Sequence, residues 1–251
     1  MLKSDSLFNK GMMPLVYSTK EAEDKGVGWK REGFDICYYR NSKKYHTATF
    51  TIHSRHKDDT LYLAYCYPYT YSDLQADLAR YESNAYMRNY IRRRVLCETL
   101  CGNDCDVLTI TDFDCSNEEI KSRRAIVASA RVHPGESNAS WMMKGLIEFL
   151  LGKSSKAASL RKRFLFKIVP MLNPDGVVLG NYRCGIAGHD LNRYRELKIT
   201  TDLHGHSRAM NIFMYGCNHD GDPDKRLQER VFPLLLEANS PVFKFSSCHF
   251  K

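Results

Sequence analysis

Two apolar segments on either side of a sharp polar break set the pattern of this chain. Residues 124–132, RAIVASARV, form a mainly apolar run of strand length. His133, Pro134, Gly135 and Glu136 interrupt it, and SNASWMMKGLIEFLL follows with its large apolar residues at helical spacing as far as Leu151. A strand, a Pro-Gly turn and an amphipathic helix stopped by Gly152 make one repeat of an α/β fold. The rhythm recurs on both sides. Leu74, Leu78, Tyr81 and Tyr86 recur near helical spacing, which predicts a helix capped by Ser72 and running to about Leu96. DVLTIT at 106–111 and RFLFKIVPM at 163–171 predict strands, the second with Pro170 near its end. Farther on, 209–215 predicts a strand, 224–237 a helix interrupted near Pro233, and 241–245 a last short strand. Trp141, Met142 and Met143 are expected in the core.

From Gly33 to about Tyr67 the period shortens. GFDICYYR, YHTATFTIH and TLYLAYCY are rich in Thr, Tyr and Phe, and partial alternation over 45–52 suits half-buried antiparallel strands. The stretch from Pro68 to Ser72 marks the change to helical spacing. The expected organisation is a β domain over 1–68 followed by an α/β domain over 69–251.

A hydrophobic share of 43% can bury a core and excludes global disorder. No apolar run approaches membrane-spanning length, and the first nine residues lack a signal-peptide core. Nine cysteines, an odd number with no CxxC pair, point to free thiols and a reducing cytosol or nucleus. Cys97, Cys101 and Cys105 have fourfold spacing, which predicts buried thiols on one helix face. The formal charge of +8, with Arg92, Arg93 and Arg94 as one of three basic clusters, suits an acidic partner. No zinc-finger spacing or RNP-type motif supports nucleic acid.

Chemistry enters at the break. His133 and Glu136 stand on a stiff strand-to-helix corner, where the Pro-Gly turn lets an imidazole and a carboxylate converge as two ligands of a zinc site. A third candidate is His204 in ITTDLHGHS, with Gly205 leaving space beside it and His206 as its rival. Two histidines and a glutamate with an open fourth position are a catalytic zinc set. Between these pieces lie Arg183, Asn192 and Arg193, planar or forked donors suited to carboxylates and oxyanions.

Five motifs in fixed order, HPGES, NPDGV, GNYRCG, DLNR and DLHGHS, make the chain from about Gly11 onward resemble the cytosolic carboxypeptidases, the tubulin-deglutamylating branch of the zinc metallocarboxypeptidases. The resemblance implies an incomplete mixed-sheet α/β zinc-carboxypeptidase-like domain preceded by part of an antiparallel β-sandwich domain. It implies one Zn2+ per chain on His133, Glu136 and His204, with Asp190 orienting a zinc histidine. Asn192 and Arg193 would hold the substrate's terminal carboxylate and Arg183 the polarised carbonyl. The implied reaction is removal of glutamates from acidic protein tails, polyglutamylated tubulin among them, without nucleic acid or membrane as partner. The implied location is the cytoplasm, with cytoskeleton and nucleus as compatible addresses.

Two departures qualify the resemblance. The family places a long segment between DLNR and DLHGHS, whereas only YRELKITTDL separates Arg193 from His204 here. The family's general-base glutamate lies on a strand downstream of this stretch, so the chain is expected to be truncated and to hydrolyse slowly or not at all. Asp202 is the carboxylate that the sequence puts nearest the metal. Two readings compete: an inactive truncated isoform that binds zinc or acidic tails, and an aspartoacylase-like amidohydrolase, where DLNR and DLH also occur with an HxxE-type pair.

Overall fold

The computed structural model of the chain describes residues 3–193, 201–218 and 226–250. Two compact units are formed, one of Met13–Ile36 and Thr49–Gly205, the other of Met1–Met12, Cys37–Ala48 and His206–Lys251. Residue 68, where the sequence pattern changes, falls inside the first.

Strand β1 (Leu15–Ser18), helix α1 (Thr19–Lys25) and strand β2 (Lys30–Arg31) come first. Helix α1 starts on the Ser18 hydroxyl, which accepts from the Glu21 N–H at 3.0 Å. Strands β3 (Phe34–Arg40) and β4 (His46–Thr51) form a two-stranded sheet around a turn in which the Asn41 side-chain oxygen accepts from the N–H groups of Lys43 and Tyr45. Strand β5 (Leu61–Ala64) pairs antiparallel with β1 and completes the order β2-β1-β5. The β character expected over 33–67 is thus divided between two small sheets.

Helix α2 (Tyr71–Ser83) departs from expectation at both ends. Thr70, not Ser72, caps it: its hydroxyl accepts from the Asp73 N–H while the Asp73 carboxylate accepts from the Thr70 N–H. It stops well before Leu96 because the Asn84 side-chain oxygen takes the N–H groups of Tyr86 and Met87 and turns the chain out of the helix. Residues beyond then extend as β6 (Ile91–Glu98), whose backbone groups find partners in an antiparallel neighbour, β7 (Asp104–Ile110). Cys97, Cys101 and Cys105 therefore lie on a hairpin and not on a helix face; only Cys105 is buried.

Helix α3 (Asn117–Ser122), strand β8 (Arg124–Ala130), helices α4 (Ser137–Leu151) and α5 (Ser155–Arg163), strand β9 (Phe164–Val169), helix α6 (Pro174–Val178) and strand β10 (Thr201–Leu203) complete the first unit. Its main sheet has the order β10-β8-β9-β7-β6, parallel across β10, β8 and β9 and antiparallel across β9, β7 and β6. Leu74, Leu78 and Tyr81 of α2 and Met143, Ile147, Leu150 and Leu151 of α4 share one core with Leu108, Ile110, Phe166 and Ile168 of the sheet. Of the three residues expected in that core beside one another, only Met143 enters it; Trp141 is 43% exposed and Met142 37%. Successive helical positions point about 100° apart, so three in a row do not share one face.

Strand β8 has β9, its successor in sequence, on one side and the later strand β10 on the other. That makes the carboxyl end of β8 a topological switch point, where open α/β sheets place their ligand sites.

In the second unit, β11 (Tyr215–Gly216) and β12 (His249–Phe250) pair in parallel, and helix α7 (Gln228–Asn239) contains Pro233. The strands expected over 209–215 and 241–245 reduce to β11 and to one isolated bridge between Ile212 and Phe243. The helix start expected at Asp224 lies outside the described residues.

Candidate metal centre

The site is built at the end of β8. After Ala130 the chain turns through Arg131, a non-glycine residue with φ of 59°, whose buried guanidinium holds the corner together. Its Nε donates to the Pro134 carbonyl at 2.7 Å, and Nη1 donates to the Tyr69 carbonyl at 2.9 Å and the Ser140 hydroxyl at 2.8 Å. Burial lowers the pKa of Arg131 to about 10, so it stays charged at neutral pH. From the neighbouring loop, Asn173 Nδ2 donates to the Val132 carbonyl at 3.2 Å. Gly135 donates its N–H to the Tyr182 carbonyl at 2.8 Å, and a Cβ at this glycine would stand 2.8 Å from the same oxygen. A side chain is therefore excluded at the turn, and His133 and Glu136 are brought onto one side of it.

Parallel pairing of Leu203 with Ala130 ends β10 level with β8, so His204 emerges beside the same corner. Two imidazole nitrogens and the two oxygens of one carboxylate then converge. His133 Nδ1 is 3.0 Å from Glu136 Oε1, His204 Nδ1 is 3.0 Å from Glu136 Oε2, and the two Nδ1 atoms are 3.2 Å apart. The other nitrogen of each ring faces a carboxylate. His133 Nε2 donates to Asp190 at 3.1 Å and His204 Nε2 to Asp202 at 2.7 Å, which leaves both Nδ1 lone pairs aimed at the centre. Asp202 is itself held by the Ser129 hydroxyl at 2.6 Å.

The electrostatics agree. Burial alone would raise the Glu136 carboxyl, but the imidazoles of His133 and His204 beside it and the Gly205 N–H outweigh it and bring the pKa down to about 2. Burial alone would lower His204, but Asp202 and Glu136 outweigh it and raise the imidazole to about 9. Without a metal, then, the centre holds a proton on His204, and a cation binding there must displace it.

Zinc fits this donor set. Zinc–nitrogen and zinc–oxygen bonds of about 2.0–2.2 Å in tetrahedral geometry imply donor–donor edges of roughly 3.3–3.6 Å. The two Nδ1 atoms, 3.2 Å apart, and the carboxylate oxygen that each faces at 3.0 Å need only a small expansion. His133, Glu136 and His204 would hold the ion, and zinc in such a site supplies Lewis acidity toward a carbonyl oxygen and toward water. Among the described residues this is the one group of three or more His, Cys, Asp or Glu side chains with converging ligand atoms.

The expected substrate-binding residues gather one shell out, on Asp190. Arg183 donates to Asp190 Oδ2 through Nε at 2.9 Å and Nη2 at 2.8 Å; Arg193 Nε stands 3.7 Å from the same oxygen, and the Asn192 N–H donates to Oδ1 at 3.1 Å. Arg193, with 78% of its side chain exposed, is free to turn toward a ligand. Asp202 lies behind His204, on the side away from Nδ1, where it serves to orient the ring. His206 is not in the group; its Nδ1 accepts from the N–H groups of Arg208 and Ala209. The sequence reading did not single out Arg131 or Ser129. Signals for both existed, a basic residue two positions before His133 in a buried run and a hydroxyl two positions before Arg131.

A family model described as "Zinc carboxypeptidase" matches residues 82–231. The chain belongs to the zinc carboxypeptidase family. Within that family it is 46% identical to "Cytosolic carboxypeptidase 2" of Xenopus tropicalis, over 100% of this chain and 29% of the relative. It is 48% identical to the protein of the same name from Danio rerio, over 100% of this chain and 39% of the relative. The chain thus spans well under half the length of these relatives. Both alignments run over 282 residues against the 251 of this chain, so the relatives carry residues with no counterpart here. A metallo-carboxypeptidase from Burkholderia cenocepacia shares the fold, with a TM-score of 0.73 at 23% identity, covering 96% of this chain and 64% of the other.

Proposed function

We propose that this chain is the metal-binding part of a zinc carboxypeptidase that removes glutamate from acidic protein tails in the cytoplasm, polyglutamylated tubulin being the expected substrate. The observation that carries the reading is the convergence of His133 Nδ1, His204 Nδ1 and the Glu136 carboxylate, each imidazole backed by a further carboxylate. Two guanidinium groups beside that centre, Arg183 and Arg193, supply the cationic side that a chain-terminal carboxylate requires. The formal charge of +8 favours encounter with an acidic tail. The relatives' name, cytosolic carboxypeptidase, supports the cytoplasmic address and the carboxypeptidase reaction by similarity. The test is to load the purified chain with zinc, give it a peptide ending in several glutamates, and follow free glutamate; release that a chelator abolishes is expected.

A second reading, zinc and tail binding with slow hydrolysis, is favoured by one observation. Asp202, the carboxylate that the sequence puts nearest the metal, has both oxygens engaged, by Ser129 and by His204, and is not poised to take a proton from an attacking water. In this case the same peptide binds the zinc-loaded chain, and glutamate release falls about 10²–10⁴-fold below that of a family member with a positioned base.

A further inference from the structure

We propose that Cys97 and Cys105 are a thiol pair that low-molecular-weight disulfides of the glutathione class convert into an intrachain disulfide. The two are register partners across the antiparallel β6–β7 ladder, just past an irregularity between Val95 and Cys97. Directly opposed residues of such a ladder point to the same face with Cα atoms about 4.5–5.5 Å apart, inside the roughly 4.4–6.8 Å window of disulfides. Their environments give them different roles. Cys97 is exposed, whereas Cys105 is 2% exposed and directs its thiol to the Met171 carbonyl at 3.6 Å. Burial pushes the Cys105 thiol up to about 12, and the neighbouring Cys97 thiol adds to the rise, so Cys97 is the group that reacts first.

The Cys97 thiolate attacks one sulfur of glutathione disulfide, forming a mixed disulfide and releasing one glutathione thiolate, which takes a proton. Cys105 then attacks the Cys97 sulfur, its proton passing to the second departing glutathione. Two protein thiols are oxidised and one glutathione disulfide is reduced to two thiols. The bond closes the hairpin whose turn holds the NPDG loop. Thr99 Oγ1, Asn103 Nδ2 and the Cys101 N–H all donate to Asp175, two residues from the Asn173 that supports Val132 beside the metal corner. Cys101, exposed at the turn, is not a register partner of either thiol. The inference is independent of the metal site.

The test treats the reduced full chain with glutathione disulfide, quenches with iodoacetamide, and digests at acidic residues. Cleavage at Glu98 and Asp104 leaves Cys97 and Cys105 on separate peptides and Cys101 on a third. The expected product is the Cys97 peptide joined to the Cys105 peptide, two hydrogens lighter than their sum, with Cys101 alkylated. Cys105→Ser should stop at the glutathione adduct on Cys97. Because Cys105 is buried and that variant could misfold, Cys101→Ser is the second arm, and it should form the pair as the unaltered chain does. A glutathione adduct on Cys97 that persists in the unaltered chain, or a linkage through Cys101, overturns the inference.

Discussion

His133 and His204, 71 residues apart in sequence, turn their Nδ1 atoms toward each other at 3.2 Å. Two imidazole nitrogens cannot sit this close with a hydrogen on each, and their Nε2 hydrogens are committed to Asp190 and Asp202. With the Glu136 carboxylate completing the triangle, the centre has acceptors and no cation of its own except a proton. That arrangement favours a metal ion.

Removing one vertex should therefore remove the metal. His204→Ala is expected to purify with little or no zinc, while His206→Ala, whose ring caps the turn to Ala209, keeps it. Elemental analysis of both variants beside the unaltered chain checks this. Equal loss in both would mean that the turn after His204, and not the ligand, is what matters.

The carboxylates behind the rings should matter in a graded way. Asp190→Asn and Asp202→Asn are each expected to weaken zinc about 10–100-fold without abolishing it, the usual cost of losing a partner that orients a metal-binding histidine. Competition against a chromophoric chelator measures it. Unchanged affinity in Asp202→Asn would leave the His204–Asp202 contact at 2.7 Å without a role in metal binding.

Arg193 offers a different kind of test. Its guanidinium is exposed and only 3.7 Å from Asp190, so it contributes little to the metal centre itself. Arg193→Lys should weaken binding of a glutamate-terminated peptide about tenfold or more, because lysine cannot make the bidentate contact, and leave zinc affinity nearly unchanged. Titrating both ligands against the same variant separates the two effects. Parallel losses would mark Arg193 as structural.

Stability should respond to acid through Asp175. This buried carboxylate accepts hydrogen bonds from Thr99, Asn103 and the Cys101 N–H; burial opposes ionisation, but those bonds outweigh it and hold its pKa below the ordinary carboxyl value. A depressed folded pKa contributes stability that is fully present above the unfolded value of about 3.9 and is lost as pH falls below it. Asp175→Asn should cost roughly 1–3 kcal/mol at neutral pH, with the gap to the unaltered chain narrowing below about pH 4. Urea unfolding at neutral and at acid pH reads both. A gap that stays constant with pH would mean that the charge contributes nothing.

Much of this architecture can be read from local pattern, and what cannot depends on tertiary partners. The strand at 124–130, the helix to Leu151 and the HPGE corner follow from apolar spacing and a Pro-Gly turn, signals that reside within a few residues. Strand β6 does not, because Arg92, Arg93 and Arg94 carry no β pattern; it extends only because β7 is there to pair with it. Cysteines four apart suit a helix face equally well until Asn84 ends the helix early. Within the site, His133, Glu136 and His204 stand out as residue types at a strand exit, but the support from Arg131 and Ser129 comes from contacts that sequence order does not reveal.

The central claim is that His133, Glu136 and His204 hold one zinc ion, and X-ray absorption at the zinc edge of the loaded chain tests it most directly. The predicted result is one zinc per chain with a first shell of two imidazole nitrogens and carboxylate or water oxygens at about 2.0–2.2 Å. A shell containing sulfur at about 2.3 Å would place the metal on the cysteines instead, and a shell without imidazole would show that the two histidines do not bind it; either contradicts the account.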